Sequence, residues 1–179
     1  DFDLPACEVT IVLGAAGRLF VVLPTGVRPD LPFAINAPFV QDPARVGIKD
    51  PSISPTNRWL LDRAGRLAAQ AMLGWLNRSD LPDAERAKAY DLLVEPPGGD
   101  DSIEEACRAI VYEAFFDELG NTPCIVTDRS ALALPDAAVV LPGELFHIWS
   151  TTEVAEILGI EDNSAVSHAL SDAVQKKLR

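Results

Sequence analysis

The sequence predicts a mixed α/β or α+β fold in which short β-strands pack against a long amphipathic helix, with a smaller helical and strand module at the C-terminus. Three observations predict it. Runs of β-branched and apolar residues near the N-terminus are typical of strands. A stretch with apolar residues three and four positions apart follows them, which is typical of a helix with one buried face. Finally, 179 residues of 48% hydrophobic composition are enough for the core of one domain or of two small ones.

The N-terminal strands are predicted from apolar runs and the turn residues between them. Residues 8–13 and 18–23 are separated by Gly14-Ala15-Ala16-Gly17, which predicts a β-hairpin. A further short strand is expected from Phe33 to Ile35. Four prolines, at positions 38, 43, 51 and 55, then indicate an irregular crossing.

The long helix is expected to begin near Thr56 or Asn57, whose side chains can cap free backbone N–H groups, and to end near Leu76. Its buried face follows from helical spacing. The apolar positions on that face are Leu60, Ala64, Leu67, Ala68, Ala71, Met72 and Trp75.

A linker is predicted between the two halves of the chain. The helix expected over residues 82–93 is followed by a Pro- and Gly-rich run. The expected organisation is a transducer-like segment 1–95, a linker 96–101 and a smaller module 102–179. Ser102 and Glu105 form the pattern of a capping box, opening a helix that Gly120 ends. Strands near 124–127 and 137–141 and helices at 151–158 and 164–178 complete the module.

Composition limits the classes of partner and compartment. The formal net charge of −12 disfavours binding to phosphate backbones, which depends on Lys and Arg. The three cysteines are far apart and lack paired spacing, which is typical of reduced residues in a cytoplasmic protein. No run approaches the about 18 apolar residues of a membrane helix, so we expect a soluble chain. Because Asp1 leads almost directly into the first strand, we also expect a fragment of a larger polypeptide.

The residues that catalysis commonly uses lack the spacing that it requires. The two histidines, His147 and His168, have no neighbouring ligand pattern, so no metal site is predicted. No nucleophile elbow or phosphate-binding loop is present, and a spatial Cys–His pair is the one alternative that the sequence leaves open. The chain by itself is therefore not expected to be an enzyme.

The order of motifs in the first half resembles a known family. Leu23-Pro24-Thr25-Gly26 is followed by Leu31-Pro32, by Asn36 and by Arg45 ahead of the long helix. This order resembles the segment that follows the nucleotide pocket in Bergerat-fold (GHKL) ATPases, namely the heat-shock chaperones and, more closely, the sacsin-like proteins. Further on, a repeated proline-and-strand pattern is also similar to the sacsin-like group: Thr122-Pro123-Cys124-Ile125-Val126, Leu134-Pro135-Asp136-Ala137 and Val140-Leu141-Pro142.

The resemblance implies roles for three residues. Arg45 would reach the γ-phosphate of ATP held by the preceding domain, and Asn36 and Lys49 would belong to the same contact. It implies no cofactor in this fragment, but ATP and Mg in the parent protein. From the residues alone, Arg45 could instead pair with Asp42 or Asp50, and Asn36 could satisfy local backbone groups.

The function expected is non-catalytic. The segment would couple the nucleotide state of a preceding ATPase domain of the same polypeptide to a protein client or partner surface. One alternative is a DNA-binding module, because Thr151–Ile160 and Ser164–Leu170 look like a helix-turn-helix in which Ser164, Ser167 and His168 would face the major groove. Acidic neighbours disfavour it. The other alternative is a structural protein–protein interaction domain.

Overall fold

The computed structural model of the chain describes residues 7–15, 17–139, 148–159, 170 and 172–177. The fold is mixed α/β, with small sheets and a long helix, as the sequence predicted. The chain forms two compact units that alternate along the sequence. The first unit comprises residues 1–70 and 92–118, and the second comprises residues 71–91 and 119–179.

The first unit contains a four-stranded sheet. Its strands are β1 (Thr10–Leu13), β2 (Leu19–Val21), β3 (Leu23–Pro24) and β4 (Phe33–Asn36), and their order across the sheet is β1-β4-β2-β3. β4 is antiparallel to β1 and parallel to β2. The strand expected at 33–35 is therefore confirmed, but the expected hairpin between residues 8–13 and 18–23 is wrong, because β4 lies between those two strands.

Burial and a close backbone approach explain this arrangement. Phe33, Ala34 and Ile35 are all buried, and such a continuous apolar run suits a central strand covered on both faces. The chain after β1 passes directly against the backbone of Leu31, since a Cβ built on Gly17 would lie 2.4 Å from the Leu31 carbonyl oxygen. Only glycine fits there. The glycines between β1 and β2 thus permit this crossing and do not form a hairpin turn.

The long helix, α1 (Pro55–Leu76), begins one residue before the expected range and ends where it was predicted. Ser54 is its cap, because the Asn57 N–H donates to Ser54 Oγ at 3.4 Å and Pro55 occupies the first helical position. The expected capping by Thr56 or Asn57 is wrong. Four of the seven predicted face positions are buried, but Leu67, Ala71 and Trp75 are only half-buried. The buried face of α1 extends further around the helix than predicted, because four residues outside the predicted set are also buried: Leu61, Gly65, Ala69 and Leu76.

A second helix of the first unit, α3 (Ile103–Leu119), packs on α1 and ends before Gly120, as predicted. Its N-terminus carries half of the expected capping box. Ser102 Oγ accepts from the Glu105 N–H at 3.2 Å, but the Glu105 carboxylate accepts from the Gly99 N–H at 2.9 Å and does not reach back to Ser102. Residues 96–101 lie within the first unit. The division into a segment 1–95, a linker 96–101 and a module 102–179 stays a prediction.

The second unit contains shorter elements. Residues 82–93, expected as one helix, form α2 (Asp83–Arg86) followed by the 3-10 helix Ala87–Leu92. Three-residue periodicity there buries both Ala87 and Tyr90. The two-stranded sheet pairs β5 (Ile125–Val126), within the expected strand 124–127, with β6 (Leu132–Ala133), which was not predicted.

The C-terminal elements are described in part. Ala137 lies in a turn, and residues 140 and 141 of the expected strand 137–141 lie outside the described residues. α4 (Thr151–Leu158) confirms the helix expected at 151–158, with a capping box formed by Ser150 and Glu153. α5 (Asp172–Lys177) falls within the expected helix 164–178. Within the described ranges, no helix is both long enough and apolar enough to span a bilayer.

Candidate functional site: the Arg45 hairpin

Arg45 lies near the tip of a short antiparallel excursion that runs from Val40 to Lys49, called here the Arg45 hairpin. At its base, Gln41 bridges Ile48, and the Lys49 N–H donates to the Val40 carbonyl at 2.8 Å. Ile48 is buried and anchors one strand in the core of the first unit. The hairpin thus has a fixed base and an exposed end.

The tip is stabilised by Asp42. Its carboxylate accepts from the backbone N–H groups of Val46 and Gly47, both at 3.1 Å, and its carbonyl accepts from the Arg45 N–H at 3.1 Å. The Gly26 N–H donates to the Val46 carbonyl at 2.6 Å and joins the tip to the segment after β3. Local side-chain-to-backbone bonds of this kind are typical of aspartate in turns. The Asp42 carboxylate is therefore used to shape the turn.

Arg45 itself is exposed. Its backbone has a φ of 57°, in the left-handed region that residues other than Gly, Asn and Asp seldom adopt. Its guanidinium makes no ion pair or hydrogen bond with any other side chain that the structure describes. The alternative pairing with Asp42 or Asp50 is not formed. Hydrogen bonds from the hydroxyl and the backbone N–H of Ser52 lower the pKa of the Asp50 carboxyl, so that carboxylate has a different, local partner.

The other two predicted site residues take different places. Lys49 is exposed and lies on the same hairpin as Arg45. Asn36 ends β4, and its Oδ1 accepts from the Val22 N–H at 3.3 Å, so it does satisfy a local backbone group. Val22 has a φ of 64°, which is unusual for a β-branched residue, and the hydrogen bond that its N–H donates to Asn36 supports that turn.

Asn36 also lines a shallow groove of about 490 Å³. The described lining includes neither Arg45 nor Lys49. The residues that form it are Cys7, Glu8, Thr10, Val21, Val22, Asn36, Ala37 and Pro38. The structure therefore brings Arg45 and Lys49 together on one hairpin and places Asn36 in a separate groove.

One residue that sequence reasoning did not assign to the site holds its base. Asn57, in the first turn of α1, is 0% exposed. Its Oδ1 accepts from the Val40 N–H at 2.7 Å, and its Nδ2 donates to the carbonyls of Val40 and Lys49 at 2.9 and 2.7 Å. The Ser-Pro pair at 54–55 was the signal that could have shown this, because it assigns the cap to Ser54 and leaves the Asn57 side chain available.

The second unit has its own buried polar cluster, around Arg86. The Arg86 Nε donates to the Leu76 carbonyl at 2.8 Å, and its Nη1 contacts Asp83 Oδ1 at 3.1 Å and the Ser130 carbonyl at 2.7 Å. All of these partners are protein groups within the unit. Three of the five guanidinium N–H groups are used in this way, and they tie the end of α1 to the β5–β6 turn.

The two buried thiols are unsuited to nucleophilic chemistry, and Cys7 is the exposed cysteine among the described residues. Cys107 and Cys124 are buried, and burial raises the pKa of the Cys107 thiol to about 12 and also raises that of Cys124, which disfavours the reactive thiolate. The part of the chain that the structure describes contains no group of three His, Cys, Asp or Glu side chains able to hold a metal ion. His147, His168, Ser164 and Ser167 lie outside the described residues, so the Cys–His pair that the sequence left open and the alternative of a DNA-reading helix are not tested.

Comparison of the chain with protein-family models, with curated proteins and with solved structures gave no match. The geometry of the Arg45 hairpin is therefore the observation on which a functional proposal can be built.

Proposed function

We propose that this chain is the transducer segment of a sacsin-like, Bergerat-fold ATPase. In this proposal a preceding domain of the same polypeptide holds ATP and Mg, and the Arg45 guanidinium contacts the γ-phosphate. The segment passes the nucleotide state to a protein client or partner surface in the cytoplasm. It does not hydrolyse ATP by itself.

The single observation that carries the proposal is an exposed guanidinium that makes no ion pair with any described side chain and stands on a hairpin held at its base by backbone and Asn57 hydrogen bonds. A solvated arginine that served only stability would gain from a nearby carboxylate, yet Asp42 binds backbone N–H groups instead. The guanidinium is always charged and offers a planar set of donors that matches phosphate oxygens. Arg45 therefore has the chemistry that a transferring phosphoryl group requires and a support that limits its movement.

The rest of the hairpin fits the same role. During phosphoryl transfer, negative charge spreads over the equatorial oxygens, and a positioned cation stabilises it. Lys49 would add a second positive charge from the other end of the hairpin. Asn36 would contribute through its groove to the contact between this segment and the preceding domain, and not through the phosphate.

The test is the ATPase rate of the full-length protein that contains this segment, with Arg45→Ala. A finger arginine contributes about 10³ to 10⁵ in kcat, so we expect a fall of at least about a hundredfold with ATP binding retained. Arg58→Ala is the matched control, because Arg58 is also exposed in the first unit. A wild-type rate in Arg45→Ala, or hydrolysis of ATP by this chain in isolation, would overturn the proposal.

A further inference from the structure

We infer that Asn57 is the positioning residue of Arg45: its buried amide fastens both ends of the Arg45 hairpin to the first turn of α1, so that hairpin and helix move as one body. The consequence for ATP hydrolysis rests on the function proposed above. The mechanical part, the fastening of the hairpin, stands on the geometry of this chain alone.

The Asn57 amide makes three of the four hydrogen bonds that a carboxamide can form. Its oxygen accepts one hydrogen bond and its nitrogen donates two, all between 2.7 and 2.9 Å. The partners are backbone groups of Val40 and Lys49, which are the first and last residues of the hairpin. One side chain therefore clamps both strands at the same level.

The hairpin needs this clamp because its own ladder is short. The bridge between Gln41 and Ile48 and the backbone bond between Lys49 and Val40 are its base contacts, and an isolated two-stranded hairpin is marginally stable in water. A misplacement of about 1 Å can cost a catalytic group about a hundredfold in rate. A positively charged tip on an unfastened hairpin would lose that placement.

Asparagine is not needed at position 57 for the helix itself. Ser54 already caps the N-terminus, and the apolar neighbours on the buried face of α1 do not require an amide. A buried amide that had no such partners would cost stability, because unpaired polar groups are destabilising in a core. The hydrogen bonds to the two hairpin strands therefore explain why a buried asparagine is present at position 57.

The first test is amide hydrogen exchange in this chain. The Asp42 and Lys49 N–H groups donate to the carbonyls of Gly47 and Val40 across the hairpin. In Asn57→Ala we expect exchange at these two amides to accelerate at least about tenfold, because opening of the hairpin becomes local and frequent. Amides in the middle of α1 should exchange at the wild-type rate. Ser54→Ala, which removes the cap and leaves the clamp, is the matched control. Unchanged exchange in the hairpin would overturn the inference.

A milder variant keeps the test usable if Asn57→Ala does not fold. Asn57→Ser retains a hydroxyl, which has one donor where the amide has two, and we expect it to give acceleration at the same amides, smaller than that of Asn57→Ala. Wild-type exchange at Asp42 and Lys49 in a folded Asn57→Ser protein would also overturn the inference.

The second test is a double-mutant cycle in the full-length protein. Asn57→Ala should lower kcat for ATP at least about tenfold with KM little changed, since the clamp acts on the placement of Arg45. In an Arg45→Ala background it should have no further effect on kcat. Additive losses would mean that Asn57 acts on stability alone and would overturn the positioning role. If Arg45→Ala itself leaves kcat unchanged, the proposed function fails, while the exchange experiment still decides whether the clamp exists.

Discussion

Gly65 marks a close approach of α1 to α3 in the first unit, and replacing it by alanine tests the packing directly. A Cβ at this position would lie 2.5 Å from the Val111 carbonyl oxygen and 2.9 Å from the Ala114 Cβ. Neither of these atoms is the end of a flexible side chain, so relief requires the two helices to separate. Gly74 provides the control, because it lies in the same helix and a Cβ there would meet no atom within 4 Å.

The two substitutions are expected to change the free energy of unfolding in opposite directions. Overpacking costs about 1 to 3 kcal/mol, and the backbone contact at Gly65 favours the upper end of that range. Alanine recovers about 1 kcal/mol of helix propensity, so Gly65→Ala should destabilise the protein by about 2 kcal/mol. Gly74→Ala should receive only the favourable term and stabilise it by about 0.5 to 1 kcal/mol.

Urea unfolding followed by far-UV circular dichroism measures both variants. We expect the midpoint of Gly65→Ala to lie below that of the wild type and the midpoint of Gly74→Ala to lie above it, with similar slopes. Equal stabilisation by the two substitutions would refute the close approach of α1 and α3.

Three further predictions concern buried and paired groups. Tyr90→Phe leaves a backbone N–H and a carbonyl in the second unit without their buried partner and should destabilise by about 2 kcal/mol in urea unfolding, whereas Tyr112→Phe should change stability by less than about 0.5 kcal/mol. Hydrogen bonds from a glutamine and an arginine lower the pKa of the Glu118 carboxyl in the folded protein. The stabilisation from this carboxylate is therefore present above the unfolded-state pKa and is lost as pH falls through the folded-state pKa. Glu118→Gln should therefore flatten the loss of stability measured from pH 5 to 3. With a thiol reagent, exposed Cys7 should react at once and buried Cys107 only as the protein unfolds.

Each of these predictions has a result that contradicts it. Equal effects of the two tyrosine substitutions would show that the Tyr90 hydroxyl is not a buried bridge. An unaltered acid profile in Glu118→Gln would show that this carboxylate gains nothing from its partners. Rapid labelling of Cys107 in the native protein would contradict its burial.

Local patterns predicted the elements that depend on local physics. The range of α1 and the strand β4 follow from spacing and apolar content within one segment, so the sequence was sufficient for both. The pairing of β1 with β4 is non-local, because it depends on the crossing at Gly17 against Leu31. A glycine run between two strands has the same sequence whether it turns back or crosses another segment, so no local signal separates the two outcomes.

The sequence offered candidates for the exposed residues of the site but none for their support. Arg45 was selected by the resemblance to the Bergerat-fold segment and Lys49 by its place at the far end of the same loop, and their roles stay predictions. The role of Asn57 depends on contacts with Val40, seventeen positions earlier in the chain, and an asparagine near a helix N-terminus is first interpreted as a cap. The competing use of its side chain by the hairpin becomes visible only when the strands are placed.

The central claim, that the Arg45 guanidinium acts on the γ-phosphate, is tested most directly by chemical rescue. Arg45→Gly suits the φ of 57° and should retain the hairpin while leaving space for a small cation. We expect ATP turnover by the full-length Arg45→Gly protein to be low and to rise when millimolar guanidinium is added. Equal sodium chloride should have no such effect, and the wild type should not respond. Full activity of Arg45→Gly without guanidinium would contradict the account.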